Sequence, residues 1–173
     1  MMARGLSSFV RETRAAAAAE MALILPMAFA LIFTTMEAGY YFQTEHKAVK
    51  YVREGARYAS RQHFDNFDCS GTGALAASAD ATTAAARIRN VTLTGQVEGG
   101  RPRIADWEAG DINVNISCDD GYGTGLYSET NNVKAPVVSV STRFGYTPIL
   151  GLLGFDIRQT QVVARAQTAV MGL

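Results

Sequence analysis

Few residues in this chain are of a type that does chemistry, and their spacing disperses them. His46 and His63 are the only histidines, and no His-Glu-x-x-His pattern is present to hold zinc beside a general base. Asp119, Asp120 and Glu129 offer oxygen ligands to calcium but lack the spacing of an EF-hand loop. Gly121-Tyr-Gly123-Thr-Gly125 follows an alternating apolar stretch. No helical pattern opens after it, and a dinucleotide pyrophosphate needs that helix N-terminus. The Gly-x-Ser-x-Gly elbow and the Walker loop are both missing. Asn90-Val-Thr92 is a glycosylation sequon in form only. Cys69 and Cys118 are the only cysteines, and their separation fits neither a zinc site nor a Cys-x-x-Cys redox motif. The expectation is a protein without catalytic residues, metal or cofactor. A membrane-tethered enzyme would need clustered ionisable groups that the sequence does not display.

One carboxylate has an unusual setting. Glu20 is followed by a stretch free of charge, Met21 to Met36, which ends at Glu37. An ionised carboxylate inside lipid costs roughly 2.5–3.5 kcal/mol near a helix centre and less near its end. Either a cation relieves Glu20, or it sits among headgroups and is solvated. Glu37 falls where the other interface would lie, and a solvated interface residue is the favoured reading for it.

These carboxylates bracket the element that must position them. The apolar tract extends from Ala15 to Phe42, enough for the ~20 residues that cross a bilayer. Tyr40, Tyr41 and Phe42 stand where an aromatic belt is expected. A secretory signal peptide would place small residues after its apolar core. Here Ala15 to Ala19 precede the core, and bulky residues follow it. Beyond the tract, Ala48, Val52, Gly55 or Ala56, and Ala59 recur at helical steps. The reading is one long helix over 16–61, following a basic leader over 1–15, with Pro26 bending it in the membrane. Lys47, Lys50, Arg53, Arg57 and Arg61 line one side of that helix, as a solvated face or one drawn to anionic headgroups.

Composition agrees with this division. The 173 residues are 48% hydrophobic and only 18% charged, and 16 basic residues balance 16 acidic ones. A net charge of zero gives no electrostatic case for nucleic-acid binding. The apolar content is too high for a disordered chain.

Residues 62–173 are long enough for a small head. Ser78 or Asp80 is expected to cap a second helix that ends near Asn90, followed by a strand through Val91, Leu93 and Val97. Gly99-Gly100-Arg-Pro102 marks a turn. Ile112, Val114, Ile116 and Cys118 alternate as a half-buried strand, and so do Val138, Val140, Thr142 and Phe144. Residues 148–154 read as an apolar hairpin or a short helical turn, and a last strand is expected over 157–169. Ile149, Leu150, Leu152, Leu153 and Phe155 complete the core, graze the bilayer or contact a partner. The fold class is α+β: a long N-terminal helix packed on an antiparallel sheet of three or four strands, with one additional helix.

The run Arg14-Ala-Ala-Ala-Ala-Ala-Glu20-Met-Ala-Leu-Ile-Leu-Pro26 resembles the start of TadE-like proteins, minor pilins or pseudopilins of the Tad (Flp, tight-adherence) pilus. The resemblance continues through Met36-Glu37-Ala-Gly39-Tyr and Val52-Arg53-Glu54-Gly55-Ala56-Arg57-Tyr58-Ala59. That octet is the most specific part, because a membrane does not dictate its polar composition. The resemblance implies a pilin-like layout and a cut by prepilin peptidase between Ala15 and Ala16. Ala15 stands where the family usually has Gly, and Met21 where it has an aromatic. Pairing of Glu20 with the N-terminal amine of a neighbouring subunit is implied as well.

The implied partners are other Tad pilins or pseudopilins, the inner-membrane assembly platform and the peptidase. The implied location is the bacterial inner membrane, single-pass, with a cytoplasmic N-terminus and a periplasmic head, and with possible extraction into a surface pilus. Counting basic residues alone favours the opposite orientation. In a periplasmic head, Cys69 and Cys118 read as one disulfide, the alternative being two buried thiols. The functional expectation is a structural component that initiates or tips the pilus. The alternative is an unprocessed anchor carrying a binding or adhesion domain.

Overall fold

The computed structural model describes residues 13–63, 66–67, 69, 79–119, 135–153 and 160–171. Its first element is the long helix α1, Thr13–Ser60, which continues through Pro26. Proline's missing N–H and its ring normally interrupt a helix interior. The chain divides into two compact units, Met1–Tyr40 and Tyr41–Leu173. The head therefore begins within the helix, and residues 41–60 belong to it.

In the head unit, α2 spans Ala79–Thr94. It runs past Asn90 and absorbs the strand expected through Val91 and Leu93. Ala84, Ile88 and Thr92 recur every four residues and are all buried, so the helical period wins over the short alternation. Gly95 stops the helix with a φ of +83°, and its N–H bonds the Val91 carbonyl at 2.9 Å. The expected turn follows, with Gly99 and Gly100 also at positive φ. Asn90 holds it by donating to the carbonyls of Gln96 and Gly99, each at 2.9 Å. With its amide so engaged and Thr92 fully buried, the sequon offers no open acceptor.

Strands β1 (Ile112–Asp119), β2 (Ala135–Gly145) and β3 (Gln161–Ala169) form one antiparallel sheet in the order β1-β2-β3. Ile112 and Ile116 turn inward while Asn113, Asn115 and Ser117 face out, as the alternation predicts. The central strand departs from that pattern, since Val137 and Ser139 are buried as well as Val138 and Val140. Residues 149–153 form a 3-10 turn, the helical of the two expected options. Residues 157–159 of the expected last strand lie outside the described residues. So do the Gly121–Gly125 run, Asp120 and Glu129. The core joins Ala48, Val52, Ala56 and Ala59 of α1 to Ile88 of α2 and to Ile112, Val140, Phe144 and Val162 of the sheet.

Cys69 and Cys118 form a disulfide with their Cα atoms 5.6 Å apart, tying the segment after α1 to β1. Closing a loop with a sequence separation of 49 stabilises the fold by about 4 kcal/mol in the chain-entropy model.

Candidate functional site

The octet Val52–Ala59 is where the helix is fastened to the head. Val52 and Ala59 are fully buried and Ala56 nearly so, whereas Arg53 and Arg57 are exposed. Gly55 sits at the crossing of α1 and α2. A Cβ there would lie 1.9 Å from the Thr92 hydroxyl oxygen and 3.2 Å from its Cβ. Only glycine allows that approach, and Thr92 uses the space to bond the Ile88 carbonyl at 2.8 Å.

Glu54 emerges beside this crossing and forms an ion pair with Arg103. The Arg103 guanidinium also lies over the Tyr51 ring, 4.7 Å from its centroid. Tyr51 stacks on Trp107 at 6.3 Å, and Trp107 meets Phe144 of β2 at 5.7 Å. Trp107 is 1% exposed, and its indole N–H donates to the Thr142 hydroxyl at 2.8 Å. That hydroxyl donates onward to the Asp111 carbonyl at 3.0 Å. Every buried polar group in the chain of contacts thus has a partner. At the start of the head unit, Tyr41 packs edge-on against Tyr146 at 5.2 Å and donates to the Gln161 carbonyl at 3.3 Å.

Arg103, Trp107, Tyr51, Thr92 and Thr142 do not stand out by motif in the sequence. Trp107 is the only tryptophan, which is the one available signal that a large apolar anchor lies in the 101–111 segment.

The N-terminal half of α1 is different. From Ala16 to Met36 every residue is exposed, Leu23 to 75%. Among the described residues this is the one helix long and apolar enough to cross a membrane. Glu20 and Ala16 lie on its exposed surface, Ala15 is in the helix backbone, and Pro26 is within the apolar run. Gly39 is exposed, and a Cβ there would meet nothing within 4 Å. Glu37 is only 8% exposed, contrary to the solvated position favoured from its place in the sequence. A carboxylate persists in such a site where polar partners meet it, and Glu37 does not lack one.

Among the described residues no three metal-ligating side chains converge. His46 and His63 are both exposed.

Comparison with curated proteins and with solved structures finds no match. A family model does match, with the description TadE-like protein, over residues 15–57. That stretch takes in the exposed apolar helix and the Glu54–Gly55 clasp but stops before Arg103 and Trp107. Over residues 15–57, about a quarter of the chain, the sequence is thus similar to the TadE-like family of the Tad pilus.

Proposed function

We propose that this protein is a structural and assembly component of a Tad-type pilus, a minor pilin or pseudopilin, and not a catalyst. The observation that carries the proposal is that the family match lies on a helix whose first half is wholly exposed and apolar. Burying each large apolar side chain is worth about 1.5–3 kcal/mol, so this surface requires lipid or other helices around it. Packing between helices in lipid relies on close contact of small residues, here Ala16 to Ala19, Ala22, Ala28 and Ala30.

In this reading prepilin peptidase cuts between Ala15 and Ala16, and Glu20 pairs with the amine of a neighbouring subunit. The helix anchors the protein in the inner membrane with the disulfide-bonded head in the periplasm. The head is offered at the start or tip of the pilus.

The test is deletion in the bacterium that makes the protein. Loss of surface pili, restored by the full chain but not by a Glu20→Ala chain that is still cut, is expected. Normal piliation in the deletion strain would contradict the proposal.

A further inference from the structure

On the head's stretch of α1, Lys47, Lys50, Arg53 and Arg57 are all exposed, and so is Arg61 just past its end. At 100° per residue the four helical cations fall within one arc, opposite the buried Ala48, Val52, Ala56 and Ala59. Among the described residues none of the five forms an ion pair, Glu54 pairing with Arg103 instead, and Lys50 lies over the Tyr51 ring 5.8 Å from its centroid. Phe42, 56% exposed, precedes the cations on the same stretch, directly after Tyr40 and Tyr41 in sequence. Aromatics followed at once by cations is the composition of a membrane–water interface.

We propose that Lys47, Lys50 and Arg53 form a binding surface for anionic phospholipid headgroups. The inference rests on the membrane anchoring proposed above. It adds a lipid class to that anchor and names the residues that read it. At the helical rise, Lys47 lies about 7 Å beyond Phe42, Lys50 about 12 Å and Arg53 about 16 Å. The Debye length is ~8 Å at physiological ionic strength. With the reach of a long side chain added, these three meet the headgroup layer. Arg57 and Arg61, one and two turns farther, fall outside it. A phospholipid site therefore weakens along the stripe, whereas an acidic protein lying alongside the helix would engage all five alike.

The test reconstitutes the full chain in vesicles of phosphatidylcholine alone, then of phosphatidylcholine with phosphatidylglycerol. Lipids that stay bound on transfer to mild detergent are counted by native mass spectrometry. Retention of the chain in phosphatidylcholine vesicles reads the anchor, and enrichment of phosphatidylglycerol reads the inference, so their failures are separate. Enrichment is expected, falling by up to about fivefold for each cation neutralised in the set K47Q, K50Q and R53Q. R57Q with R61Q is expected to leave it unchanged. The exposed positions keep the fold intact, checked by the disulfide and by thermal unfolding. No enrichment in the parent chain, an undiminished one in the triple variant, or an equal loss in R57Q with R61Q would overturn the proposal. The last outcome would point to an acidic protein partner.

Discussion

Leu23 and Val52 sit on one unbroken helix in opposite surroundings, the first 75% exposed and the second fully buried. The two glycines of the family-matching stretch repeat the contrast. Gly55 has no room for a single methyl group, whereas Gly39 faces open space. Both halves of α1 are helical, and the matched residues 15–57 run through both. They differ in what completes them. The second half is completed by its own chain, through Thr92, Arg103 and Trp107. The first half displays ten large apolar side chains from Met21 to Met36, all exposed, and needs a surrounding from outside. A family stretch can thus combine a part specified by the protein's own core with a part specified by its environment.

Substitutions can break that contrast. The largest effect is expected from Trp107→Ala, which removes the anchor under Tyr51 and Phe144. Thermal unfolding of the full chain in detergent should show a loss of about 3–5 kcal/mol in head stability. Replacing both Cys69 and Cys118 by Ala comes next, at about 4 kcal/mol by the loop-entropy argument. Reduction of the parent protein should reproduce that loss.

Gly55→Ala is expected to cost about 1–3 kcal/mol by overpacking the helix crossing. Adding Thr92→Ala should recover part of the loss, and a double-mutant cycle measures that coupling. If the two changes simply add, the crossing is not where the structure puts it. Glu54→Gln removes a half-exposed ion pair and should cost no more than about 1 kcal/mol, reduced further by salt. The smallest effect is expected in the other half of α1. Leu25→Ala should leave head stability within about 0.5 kcal/mol, while Val52→Ala costs about 2 kcal/mol. Equal losses at the two positions would erase the distinction between the halves.

The sequence made the periodic features legible. The charge-free run from Met21 to Met36, the helical repeat of Ala48, Val52 and Ala59, and the alternation from Ile112 to Cys118 are each local patterns. The Gly99–Gly100 turn was equally plain. The continuation of α2 past Asn90 was not, because Val91 and Leu93 satisfy a strand's alternation over too few residues to exclude a helix. The clasp was half legible. Glu54 and Gly55 belong to the family octet, but the octet does not say what they meet. Arg103 lies 49 residues from Glu54, and Thr142 lies 35 from Trp107. No periodicity links such pairs, and only the fold brings them together. Glu37 departs from its local pattern too. Its place at the end of an apolar run suggests water, yet it is only 8% exposed, which the run alone does not announce.

The measurement that tests the account most directly is the N-terminal sequence of the protein purified from the cells that make it. A first residue of Ala16, with Met21 to Met36 retained in the mature chain, is the predicted result. A first residue beyond Phe42 would contradict the account, because the exposed apolar half of α1 would then be discarded rather than used.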